Sequence, residues 1–165
     1  MEMDNLQKLY VDELKDLHSA ERQIIQALPR MAKKASNEQL RRAFEEHLEV
    51  TKKQVERLDR IFEQLGKSSR GKKCKGMEGL IEEGKEMMQE DMEPEVMDAA
   101  LIGVAQKVEH YEIAGYGTVR TYARILGERE AEKLLQQTLD EEGETDKKLT
   151  QLAESEINVE ASVEA

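Results

Sequence analysis

The sequence predicts an all-α protein: a bundle of four long helices, with a short fifth helix in the connection between the second and third long ones. Three observations carry that expectation. Charged residues make up 37% of the chain and aromatic residues 4%, which suits long solvated helices better than a β-sandwich built on β-branched and aromatic side chains. Apolar residues recur at helical spacing in four long segments. Proline, the residue that most disrupts a helix interior, occurs only twice in 165 residues. A chain of this length is expected to form one domain with a substantial core.

The first long helix is predicted over residues 5–34, with Leu6, Tyr10, Leu14, Leu17, Ile24, Leu28 and Met31 on its stripe. Pro29 removes one backbone bond and is expected to kink its last third. Ser36 and Gln39 have the spacing of a capping box, so the second helix starts near Asn37. It carries Leu40, Phe44, Leu48, Val55, Leu58 and Phe62 and ends at Gly66. Residues 66–76, GKSSRGKKCKG, form a basic, solvated linker, and residues 77–91 form the short helix. Pro94 suits the first turn of the third long helix, where its missing N–H costs nothing; that helix runs to Leu126 and stops at Gly127. The last long helix follows over residues 128–156. Residues 1–157 make the bundle, and 158–165 are expected to be a frayed, acidic, flexible tail.

Short links join the first two long helices and the last two, which forces two antiparallel hairpins. The roughly thirty residues between the hairpins are long enough for a crossover, and that connectivity is ferritin-like.

Charge and composition exclude several function classes. A formal net charge of −11 repels nucleic acid and anionic lipid. No apolar run approaches the length of a membrane span, and the acidic start MEMDNLQKLYVDELKDL lacks the layout of a signal peptide. A single cysteine, Cys74, permits no internal disulfide, so a cytoplasmic location is expected. Its lysine and arginine neighbours would lower the thiol pKa.

The informative residues are acids on apolar stripes. Glu21 falls in the series Leu14, Leu17, Glu21, Ile24, Leu28, and His47 lies between Phe44 and Thr51, with Gln54 and Leu58 further along. Ala105, Glu109, Glu112 and Tyr116 share one face; Leu135, Thr138, Glu142, Asp146 and Leu149 share another. If the first hairpin turns at residue 35 or 36, Glu21 is level with position 50, and His47 lies roughly 4.5 Å away along the axis. If the second turns at Gly127, Glu112 is level with Glu142, and Glu109 is close to Asp146. Five buried carboxylates would repel strongly unless cations neutralise them. Two divalent ions bring +4 against −5, and oxygen-rich ligation with one imidazole suits iron first and manganese second. The alternative reading puts Glu109 and Glu112 on an exposed face, makes His47 a core histidine bonded to Thr51, and pairs Asp146 with a lysine. His18 and His110 read as surface residues, and Tyr116 as a packed core tyrosine.

The runs LYVDELKDLHSAERQ, EEHLEVTKKQVERLD, VEHYEIAGYGT and LDEEGETDKKLTQLAE resemble the YciE/YciF group of bacterial ferritin-like stress proteins, over about residues 5–156. The resemblance implies a four-helix bundle with an extra helix in the crossover, dimerisation, and a dimetal site like that of rubrerythrin. Such a site takes one Glu from the first helix, Glu-x-x-His from the second, Glu-x-x-Glu from the third and Glu plus His from the fourth. Glu21, Glu109 with Glu112, and Glu142 match. Asp146 stands where a histidine is expected, and Phe44 occupies the place of the Glu in the Glu-x-x-His motif. His47, Glu46, Glu49 and Gln54 therefore compete for the second-helix position. The cysteine-rich electron-transfer domain of rubrerythrins is missing.

The leading expectation is a cytoplasmic di-iron or dimanganese carboxylate protein that meets oxygen or peroxide, or oxidises iron, during stress. Its rival is a metal-free helical dimer acting through protein contacts, with a storage cage or DNA-protecting shell as a weaker third. A homodimer is expected because the third long helix is apolar on two faces. One of these, Val104, Val108, Tyr111 and Gly115, would pack on the short helix or a second subunit.

Overall fold

The computed structural model describes residues 4–163, and no strand occurs among them. The helices are α1 (Leu6–Lys34), α2 (Glu38–Leu65), α3 (Lys75–Gln89), α4 (Pro94–Ile125) and α5 (Arg129–Leu152). A π-helical turn (Ala153–Ile157) and α6 (Asn158–Ala161) follow directly. Helix α1 runs without a break through Pro29, and Pro94 opens α4 as expected. Gly66 and Gly127 adopt φ of 63° and 76°, the left-handed conformation that closes a helix and that glycine enters without a Cβ clash.

The turn between α1 and α2 differs from the predicted capping box. Asn37 is the cap, its Oδ1 accepting from the Leu40 amide at 3.0 Å. The amides of Ser36 and Asn37 donate instead to the two carboxylate oxygens of buried Asp98, each at 2.8 Å. Asp98 thereby fastens the second turn of α4 to the α1–α2 corner. Two charge-assisted bonds depend on this side chain, so D98A is expected to cost about 2–4 kcal/mol in urea unfolding, and D98N less, because it keeps one acceptor.

Asn37 also donates to Glu156 Oε1 at 3.1 Å, tying the C-terminal segment to the same corner. The frayed tail expected over residues 158–165 is corrected in its first part: the backbone stays helical to Ala161, following Ala153 and Ile157, which are buried in the core. Residues 164–165 of that tail lie outside the described residues.

Helix α3 covers α1 and α4. A Cβ on Gly76 would meet the Tyr111 ring at 2.6 Å, and one on Gly84 would meet Val104 at 2.9 Å. The second apolar face of α4 is thus occupied by α3 and gives no support of its own to a dimer. Tyr111 cannot yield easily, since its hydroxyl donates to Asp16 Oδ2 at 2.7 Å. G76A should therefore destabilise by about 1–3 kcal/mol through overpacking. G79A, with open space around it, should stabilise by up to about 1 kcal/mol. Thermal unfolding of the two variants checks both signs.

The core is split. One apolar cluster contains Tyr10, Leu14, Leu17, Leu58, Phe62, Val119 and Leu135; the other contains Ile24, Leu28, Met31, Phe44, Leu101, Val108 and Leu149. On all four long helices the residues between these clusters are polar and buried: Glu21; His47, Thr51 and Gln54; Glu109 and Glu112; Thr138 and Glu142.

Candidate metal centre

Each of the four long helices sends at least one ligand-type side chain into this layer. Ligand atoms of His47, Glu109 and Glu142 lie within 4.8 Å of one another, and so do those of Glu21, Glu112 and Glu142. Glu142 is common to both groups. All five residues are buried, which removes the exposed-face reading of Glu109 and Glu112.

Buried polar atoms ordinarily find partners, because leaving one unpaired costs about 1–3 kcal/mol or more. Here Glu21 Oε2, Glu109 Oε2 and both oxygens of Glu112 and Glu142 have none, nor do the two ring nitrogens of His47. His47 Nε2 lies 2.7 Å from Glu109 Oε1, yet the pair lacks hydrogen-bond alignment. The two atoms are therefore close neighbours in the layer without bonding to each other. The oxygen-rich set with one imidazole fits two hard or borderline divalent ions, iron or manganese before zinc or copper.

Without a cation the layer is electrostatically costly. Burial above all, offset in part by the adjoining Glu112 carboxyl, raises the Glu21 pKa to about 7. Burial, with the nearby Glu21 and Asp146 charges adding to it, raises Glu109 to about 7 as well. Burial pushes Glu112 well above the usual carboxylate range, reinforced by Glu21 and Glu142. Glu142 rises for the same first reason, then through Glu109.

Neighbouring side chains hold the acids in place. The Tyr116 hydroxyl donates to Glu21 Oε1 at 2.6 Å, so this tyrosine is both packed in the core and bonded to a site residue. Arg57 forms a forked pair with Glu141, at 2.5 and 2.9 Å, and donates to Thr138 at 3.0 Å. Gln54 Nε2 donates to the same Glu141 at 3.3 Å, while its Oε1 has no partner. Sequence reasoning missed the Arg57–Glu141 pair; the available signal was Arg57 standing one turn after Gln54, beside the apolar stripe.

Of the four second-helix candidates, His47 joins a triad, and Gln54 is buried beside Glu142. Glu46 is exposed, and exposed Glu49 pairs with Lys52 at 2.8 Å. Asp146 joins neither triad: it is half-buried, 3.2 Å from exposed His110 and 3.4 Å from the Gln106 amide. Its partner is therefore a histidine and not the lysine expected. Thr51 does donate near His47, but to its backbone oxygen at 2.7 Å and not to the ring. His18, expected at the surface, is buried and pairs with Asp59 at 2.8 Å. Cys74 is also buried: its sulfur accepts from the Met77 amide at 3.3 Å, and burial raises its thiol pKa, the opposite of the lowering expected from its basic neighbours.

Fold and site together define a class, a ferritin-like helical bundle whose core is interrupted by a layer of carboxylates and one histidine. Within that class the chain belongs to the DUF892 family, described as a domain of unknown function, which it matches over residues 5–162. It is 48% identical to YciF of Escherichia coli K12 over 166 residues, all of both chains. The crystal structure of that protein, called a stress protein, superposes with a TM-score of 0.91 over 94% of this chain and 99% of that one. YcfI of Rhodopseudomonas palustris, 40% identical, superposes at 0.87 over 91% of this chain and 97% of that one. A Xanthomonas campestris protein, 23% identical, shares the fold at 0.73, with 92% of each chain covered. No described helix is long and apolar enough to cross a membrane.

Proposed function

We propose that the chain is a cytoplasmic dimetal carboxylate protein of the stress response, with iron as the first choice of metal and manganese the second. Its reaction would be with oxygen or peroxide, or the oxidation of ferrous iron. The observation that carries the reading is the pair of buried triads sharing Glu142, whose donor atoms have no protein partners. The stress-protein description of E. coli YciF supports the physiological setting.

In this reading His47, Glu109 and Glu142 hold one ion, and Glu21, Glu112 and Glu142 the other. Bound iron would supply one-electron chemistry and an open coordination position for an oxidant. The protein's own part is positioning. Tyr116 fixes Glu21 Oε1 and leaves Oε2 free, and the Arg57–Glu141 fork locks α2 to α5 beside Glu142. The two apolar clusters keep bulk water from the layer on both sides.

Metal analysis of protein purified without chelator, joined to oxygen- and peroxide-consumption assays, tests this function. Retained metal with oxidant consumption supports it. Metal-free protein that consumes neither would instead favour a helical dimer acting through protein contacts. A homodimer is proposed under either reading, and a monomer mass by light scattering at high concentration would overturn it.

A further inference from the structure

We propose that a small, mainly apolar cavity beside His47 and Glu109, open to the surface between α2 and α5, is the docking site for a molecule of diatomic size, dioxygen, which reaches the centre from the His47 side. The proposal rests on the function proposed above and narrows its oxidant. The cavity measures about 90 Å³. Its walls are Ile24, Leu28, Met31, Phe44, Val108 and Leu149, and its polar inner end is formed by His47 and Glu109. Glu21, Glu112 and Glu142 do not line it, so the cavity touches one of the two triads through two members and the other triad not at all. Exposed Glu46 and Lys148 stand at its rim, between α2 and α5.

Size and lining select the occupant. Apolar cavities of roughly 150 Å³ stay dry and accept benzene or xenon, so this smaller one admits a diatomic molecule or a xenon atom but no ring or acyl chain. Peroxide carries two hydroxyl groups, and moving them between apolar walls without hydrogen bonds costs several kcal/mol. Dioxygen pays no such cost.

Xenon is the probe, because it reports the cavity without any metal. Metal-free full-length protein should bind one xenon between Phe44 and Val108, seen in xenon-pressurised crystals and as a shifted xenon NMR signal. A105L, which adds side-chain volume at a wall residue, should abolish that binding while leaving the folded helical spectrum unchanged. L28F, filling from α1, repeats the test should A105L fail to fold. In iron-loaded protein the filled variant should raise KM for dioxygen roughly tenfold, with KM for peroxide and iron stoichiometry unaltered. Absence of xenon from the cavity overturns the proposal, as does xenon binding with an unchanged KM for dioxygen in the filled variant. Protein that binds xenon but no iron overturns the metal reading and the dioxygen role together, while iron without xenon overturns this proposal alone.

Discussion

E109Q/E112Q protein will bind no metal and, in its metal-free form, will be more stable than the parent at pH 8. Each triad loses one carboxylate, and a neutral amide is a poor ligand for iron or manganese. The stability gain has a separate origin. With Glu109 raised to about 7, holding it ionised at pH 8 costs the folded state on the order of 3 kcal/mol relative to an ordinary carboxylate. Glu112 adds to that cost in the same direction. Glutamine keeps the volume, removes two negative charges, and can donate from its amide to the remaining acids. Were these residues solvated, the same change would move stability by no more than about 0.5 kcal/mol. Thermal unfolding of metal-free parent and variant side by side reads the difference, and a variant less stable than the parent would contradict it.

The second large effect is a dependence on pH. Glu21 and Glu109 have folded pKa values near 7 against unfolded values in the usual carboxylate range. Between those limits the folded protein holds protons that the unfolded chain has released. Their contribution to stability is therefore fully present below about pH 4.5 and is lost as pH rises through 7. Metal-free protein should lose on the order of several kcal/mol of stability from this source between pH 5 and 8. The curve for E21Q/E109Q should be flatter by that amount, which isolates these groups from the other acids of the chain. Metal binding demands the deprotonated forms, so iron should release protons and bind more tightly as pH rises. Calorimetry of iron binding in two buffers of different ionisation heat measures the release. A parent curve no steeper than that of the variant would overturn the assignment.

Most of the fold was legible because it rests on local signals. Gly66, Gly127 and Pro94 mark helix ends by backbone chemistry alone, and the apolar stripes locate the core. Glu21, Glu109, Glu112 and Glu142 were legible for the same reason: each is an acid where the stripe calls for an apolar residue. What escaped depends on partners distant in sequence. Nothing near His18 announces Asp59, and nothing near Asp98 announces the amides of Ser36 and Asn37. Asp146 looked like a site residue because it shares the stripe of Glu142 and Leu149 and stands where the resemblance places a histidine. In the structure it is half-buried and 3.2 Å from exposed His110. Cys74 was misread because its basic neighbours point elsewhere, Lys72 to Asp12 and Lys73 to Glu78, while the thiol sits under α3 beside Tyr111 and Asp16.

The role proposed for the polar layer is to hold two metal ions. The most direct test is an anaerobic ferrous iron titration of metal-free protein, followed by bound-metal analysis and thermal unfolding at each step. The account predicts saturation at two ions per chain, through the two triads that share Glu142, with the melting temperature rising until saturation and then levelling. Iron that is not retained, together with a melting temperature that does not move, would contradict it.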